Sequence, residues 1–211
     1  MRVSDYAQYA TMTSGREVIH GFMWDSLLYT SGAAGTTVLN FFQQTIAALT
    51  PDVTNMQNPG ILPYPWQFLV RAIRFFIKQR PESNLVVATG NLQPGAANNV
   101  AQLVNTGLLN IVHGAKSYGP YPLHAITAAA GPHGNINVTT VGAAGITASV
   151  VDYAQNGRPH VKNLFTLAMP LLIETAMNFV YQLSWPAGPV TLTRNTTLCL
   201  CLEGDLIRQV Q

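Results

Sequence analysis

The run TTLCLCLEGDLIRQV at residues 196–210 alternates with period two: Leu198, Leu200 and Leu202 fall on one side, Thr197, Cys199 and Cys201 on the other. Only a strand turns that pattern into one apolar face, because successive side chains leave the backbone in opposite directions. The triplet Glu203-Gly204-Asp205 interrupts the alternation and predicts a break or a bulge. The run PLLIETAMNFVYQLSWP at 170–186 likewise puts Phe179, Tyr181 and Leu183 on one face before Pro186 and Gly188 end it. A strand with one apolar face must be covered by another layer, so these two segments already demand packed sheets.

Upstream, short strand-like runs recur between turn signals. They are FMWDSLLYT (22–30), TTVLNFFQQ (36–44), SNLVVATGN (83–91) and GLLNIVHGAKSYGPYPLHAI (107–126). Ser31-Gly32 ends the first, and Gly32 and Gly35 make a short turn into the second. PGAANNVAQLVNT (94–106) has room for one or two helical turns. Residues 127–149, rich in Ala, Gly and Thr, read as a long loop with at least one short strand, NINVTTV. Residues 1–16 read as an extended polar arm before a single domain over 17–211. Many short strands and few helix caps predict an all-β sandwich or barrel.

Segment 66–79, WQFLVRAIRFFIKQ, is ambiguous. Apolar residues at 66, 69, 70, 73, 76 and 77 fit a helical stripe with Arg71, Arg74 and Lys78 opposite. No Ser, Thr, Asp or Asn stands just before Trp66 to cap a helix. Three prolines, Pro59, Pro63 and Pro65, precede the segment. Proline cannot donate to a ladder and pushes the residue before it toward extended backbone, so it belongs ahead of a strand. The segment is therefore read as a strand buried on both faces for much of its length.

Charge narrows the function classes. Charged residues are 9% of the chain, against about 25% in an ordinary soluble domain. Hydrophobic residues are an unremarkable 48%, so the surface must be made of small and amide side chains. Interface cores are depleted of charge, so such a surface suits a protein covered by its neighbours. The net charge is +2; Arg71, Arg74, Lys78 and Arg80 are the one basic cluster, and the first twenty residues hold only Arg2 and Arg16. No polybasic arm of the kind that neutralises packaged nucleic acid is present, so strong direct nucleic-acid binding is not expected. The N-terminal segment has no apolar h-region, so no signal peptide is expected, and the two sequons at Asn137 and Asn195 read as chance. No long apolar run free of Pro and Gly suggests a membrane-spanning helix.

Motifs for catalysis are missing. The histidines, His20, His113, His124, His133 and His160, have no HExxH or other tight metal spacing. A cupin-like metal site could gather His113, His124 and a distant acid, but no Glu lies between residues 83 and 151. GAKS at 114–117 resembles the end of a phosphate loop, yet Ala115 stands where Gly must precede Lys116, and Asn110 where the upstream Gly belongs. Cys199 and Cys201, at i and i+2 of a strand, lie roughly 6–7 Å apart, too far for a good disulfide. They read as small buried hydrophobes, compatible with a reducing cytoplasm. No catalytic residue, metal ligand or cofactor is assigned. The candidate contact residues are Arg71, Arg74 and Lys78, for an inner surface or an inter-subunit contact, and Lys116, Tyr118 and Tyr121, in a stiff loop with Pro120 and Pro122.

The segments SLLYTSGAAGTTVLNFF, TNMQNPGILPYPWQFLVRAIRFF, GLLNIVHGAKSYGPYPLHAI, LLIETAMNFVYQLSWP and LCLCLEGDLIRQVQ follow in this order. As an ordered set they resemble the jelly-roll capsid proteins of small icosahedral bacteriophages, including the membrane-containing kinds. The resemblance covers most of residues 20–211 and implies a major capsid subunit built on one eight-stranded jelly roll with long loops. The chain has room for one barrel rather than two. The partners so implied are copies of itself, in trimers or pseudo-hexameric capsomers, with a second capsid or penton protein and an internal membrane as further candidates. The implied location is the virion, after assembly in the host cytoplasm. A jelly-roll binding module, such as a virion spike or sugar-binding domain, is the alternative; a cupin-like enzyme is the third reading.

Overall fold

The computed structural model describes residues 15–30, 36–46, 49–78, 85–87, 95–126, 133–139, 148–155, 165–192 and 196–209. The alternating C-terminal run is strand β11 (Thr196–Gln209), and Leu198, Leu200 and Leu202 are all fully buried. Each such side chain removed from water contributes roughly 1.5–3 kcal/mol. β11 lies in a four-stranded antiparallel sheet, sheet A, between β1 (Arg16–Tyr29) and β3 (Gln67–Lys78). The fourth strand, β9 (Phe165–Ile173), pairs with the far side of β3. Sheet B has the order β2 (Val38–Phe41), β10 (Phe179–Ser184), β5 (Leu108–His113), β6 (Lys116–Pro122).

The fold is all-β, and the inner faces of both sheets feed one core. Ile73, Phe75, Leu198 and Leu200 from sheet A join Phe41, Leu109, Ile111, Tyr181 and Leu183 from sheet B. Pairing is nested in sequence: β1 with β11, β2 with β10, β3 with β9, and β5 with β6. A small third sheet has the order β4 (Leu85–Val87), β8 (Ala148–Gln155), β7 (His133–Thr139).

Segment 66–79 is a strand, and its apparent helical stripe has a tertiary cause. Phe68, Val70, Ile73, Phe75 and Ile77 are buried, while Arg71 and Arg74 point to the outer face and meet acids of β11. The prolines precede it, with Trp66 N–H donating to the Pro63 carbonyl at 2.9 Å. At Glu203/Gly204 the β11–β3 register shifts, so the expected interruption is a bulge within a continuous strand. A Cβ on Gly204 would lie 2.0 Å from the Leu69 carbonyl oxygen, so only glycine fits that crossing.

Other boundaries moved. β1 starts at Arg16, well before residue 22 and one residue inside the expected arm; residues 1–14 lie outside the described residues. β2 stops at Phe41 because Phe42 turns to φ 67° and the chain leaves the ladder. The run at 170–186 is two strands, separated by a corner where Ala176 takes φ 56°. The expected turn or two of helix is α1 (Gly95–Thr106), twelve residues held by buried Val100, Leu103 and Val104 at helical spacing. In the expected 127–149 loop, β7 occupies His133–Thr139 and β8 begins at Ala148. The remainder of that loop lies outside the described residues.

Candidate functional site

The two flanks of the sandwich differ. On the flank carrying β1 and β2, polar groups stitch the sheets shut. Asp25 is fully buried; its carboxylate accepts the Phe42 N–H at 2.6 Å and the Ser26 N–H at 3.1 Å. Burial pushes its pKa up, and these hydrogen bonds oppose the rise. Asn55 lies along the outer edge of β1: its Oδ1 accepts the Trp24 N–H at 2.9 Å, its own N–H donates to the Trp24 carbonyl at 3.3 Å, and its Nδ2 donates to the Phe22 carbonyl. A side chain and one backbone group thus satisfy this edge at Phe22 and Trp24, where it would otherwise offer free donors and acceptors.

Among the described residues the opposite flank is open. There the edge strands β6 and β9 face each other across a groove of about 670 Å³. Both walls are bulged. On β9, Val70 pairs with Leu171 and Ala72 with Thr166, so Arg71 alone stands opposite residues 167–170. On β6, Leu109 pairs with Tyr121 and Ile111 with Tyr118, so Asn110 faces Gly119 and Pro120 together. Gly119 takes φ 112°, and a Cβ there would lie 2.9 Å from the Leu109 carbonyl oxygen. Pro170 and Pro120 therefore fall where no ladder bond is asked of them. The β9 bulge turns Met169 outward until it is 79% exposed, the most exposed large hydrophobic side chain among the described residues. Leu167, Leu171 and Met177 also line the groove.

His113 lies at the groove's floor, almost fully buried, with Nε2 3.1 Å from the Tyr181 hydroxyl and its ring edge-on to Tyr118. Burial lowers its pKa to about 4 and raises that of Tyr181, so the imidazole is neutral over the physiological range. His124 is exposed on a short 3-10 turn after β6, and among the described residues no three His, Cys, Asp or Glu side chains gather as metal ligands.

The six candidate contact residues fall into two places. Lys116, Tyr118 and Tyr121 line or border the groove, with Tyr121 packed against Phe165 at 5.7 Å. Arg71, Arg74 and Lys78 lie on the outer face of sheet A, where each has a partner within the chain. Arg74 is paired with Glu203, Arg71 with Asp205, and the Lys78 ammonium donates to Ser26 Oγ and to the Asp52 carbonyl, each at 3.0 Å. His20, about half exposed, sits 3.5 Å from Glu203 and 3.9 Å from Asp205. Cys199 and Cys201 share this face without a disulfide; burial raises both thiol pKa values, that of Cys201 to about 12. Sequence reasoning missed Met169, Glu174 and Tyr64. Pro170 inside a strand-like run and the Pro63-Tyr64-Pro65 bracket are the signals that could have found them.

The chain matches no protein-family model, no curated protein and no solved structure. Among the described residues no helix is long and apolar enough to cross a membrane.

Proposed function

We propose that this chain is a structural shell subunit, a major capsid protein of the icosahedral bacteriophage kind, built on a single jelly roll and acting by self-association rather than by covalent chemistry. The observation that carries the reading is the nested pairing of β1 with β11, β2 with β10, β3 with β9 and β5 with β6. A chain doubled back on itself and then wrapped around a core has its first strand beside its last, its second beside its second-last, and so on inward. Two sheets of order β1-β11-β3-β9 and β2-β10-β5-β6 are what that wrapping leaves, and the jelly roll is the eight-stranded double sheet of this kind. On this reading β4, α1, β7 and β8 are excursions from the crossings between β3 and β5 and between β6 and β9.

Three further features support a shell role. The ordered segments resemble phage capsid proteins. The charge content of 9% leaves a surface cheap to desolvate against sister subunits. The cations of the outer sheet face are matched by acids and carbonyls of the same chain, which leaves little for a polyanion to bind. Many modest contacts per subunit then sum through multivalency.

Negative-stain imaging of the purified chain over a range of concentration and salt tests the reading. Closed particles, sheets or hexagonal arrays are expected. Monomers or a fixed small oligomer under every condition would overturn it.

A further inference from the structure

We propose that the groove between β6 and β9 docks a second copy of this chain, with Tyr64 of each copy seated in the groove of the other. The proposal rests on the self-assembly reading above and names one two-fold contact within it; a closed pair leaves the remaining shell contacts to other surfaces.

The walls decide how an occupant enters. An unprotected edge strand recruits another strand through its free N–H and C=O groups. Here both edges are interrupted by bulges that contain Pro170 and Pro120, so backbone addition is blocked where the bulges fall and a continuous added strand cannot form. Between those edges lies an apolar trough with Met169 standing 79% exposed on its rim. The flank therefore rejects strands and accepts side chains.

Tyr64 is the matching knob. It is 78% exposed and bracketed by Pro63 and Pro65, whose rings fix φ on either side. Seating so stiff a side chain costs little backbone entropy on contact. It also stands close to the groove: Leu62 bridges to Thr175, the residue after the groove-lining Glu174.

Charge selects the partner. Lys116, at the β5–β6 turn, and Glu174, just past β9, both line the groove and carry opposite signs. Neither has an ion-pair partner among the described residues. A two-fold axis through this patch sets Lys116 of one copy against Glu174 of the other, twice, while each Tyr64 enters the facing trough. That reciprocity is the mark of an isologous contact. A partner with a single sign of charge would be repelled at one lip.

The test uses the full chain in sedimentation equilibrium. Tyr64→Ala and Met169→Glu remove exposed side chains and leave the fold intact, as circular dichroism and the urea midpoint will register. Each is expected to weaken dimer formation on the order of tenfold or more. Lys116→Glu and Glu174→Lys each weaken it as well, and the double exchange restores it to within about threefold of the wild type. Unchanged association of the Tyr64 and Met169 variants, or charge reversals that the double exchange does not rescue, overturns the proposal. Groove protection from hydrogen exchange in the monomer, lost when residues 1–14 are deleted, assigns the groove to the chain's own N-terminal segment and also overturns it. Imaging separates the two levels. If the Tyr64→Ala chain still forms wild-type particles, the groove proposal fails and the shell reading stands. If the wild-type chain never associates, both fail.

Discussion

Removing one oxygen atom, in Tyr29→Phe, tests whether the C-terminal end of β1 is held to the Val190 backbone by hydrogen bonds or by packing alone. Tyr29 ends β1 and is fully buried, with its ring edge-on to Trp185 at a centroid distance of 4.9 Å. Its hydroxyl accepts the Val190 N–H at 2.6 Å and donates to the Val190 carbonyl at 3.3 Å. Val190 is itself buried, so water cannot replace either bond without a rearrangement. Phenylalanine keeps the ring and its contact with Trp185, leaving a backbone donor and acceptor unpaired. The donor, held at 2.6 Å, sets the cost: an unsatisfied buried group costs about 1–3 kcal/mol, and the long 3.3 Å bond adds little to it. For a chain of this size that lowers the thermal midpoint by about 2–12 °C. With a urea slope of about 2 kcal/mol/M, the midpoint falls by roughly 0.5–1.5 M. The assay is urea unfolding of dissociated subunits followed by tryptophan fluorescence. A midpoint within about 0.2 M of the wild type refutes the reasoning, because a bond whose loss costs nothing is not securing that end.

Gly204→Ala forces a Cβ into the Leu69 carbonyl at 2.0 Å in a central strand; a loss of about 3 kcal/mol or more in urea stability is expected, and an unchanged midpoint counts against the bulge geometry. His113 makes the fold acid-sensitive: its folded pKa of about 4 lies below the ordinary 6.5, so the unfolded chain takes up the proton first. Stability is fully present above pH 6.5 and is lost as pH falls toward 4, by about 3 kcal/mol in all. Asp25 has the opposite sign, since a raised carboxyl pKa makes acidification stabilising; the pH slope to measure is therefore the difference between wild type and His113→Gln, and equal slopes would refute the assignment. Glu203→Gln strips the partly buried Arg74 and the exposed His20 of a shared carboxylate. Its expected cost is about 1 kcal/mol by urea unfolding, smaller in high salt, and no salt dependence would show that the pair is electrostatically idle.

Local pattern carried much of the architecture. β11 and β10 were legible because period-two alternation has a single structural meaning, and every leucine or aromatic residue assigned to their inner faces is buried there. β3 was legible only from its context, the missing helix cap before Trp66 and the prolines ahead of it, since Arg71 and Arg74 gave it a false helical stripe. Their acids come from β11, more than a hundred residues later in the chain, and no local window contains both. α1 is longer than the one or two turns expected, and burial of Val100, Leu103 and Val104 along one face supplies the tertiary packing that holds it. The division of 170–186 into β9 and β10 was hidden because Ala176 takes its left-handed turn with no glycine to announce it.

Composition and alternation alone determined that this polypeptide makes layered strands with a weakly charged exterior, because side-chain direction and burial follow from spacing along the chain. Which flank of the sandwich is sealed and which is open was decided only in three dimensions. Lys116, Tyr118 and Tyr121 could be singled out in advance, but the groove they share with Met169 and Glu174 exists because β9 slips against β3 and β6 against β5. Register is a relation between distant segments, set by how all the strands pack at once, so no single stretch of residues encodes it.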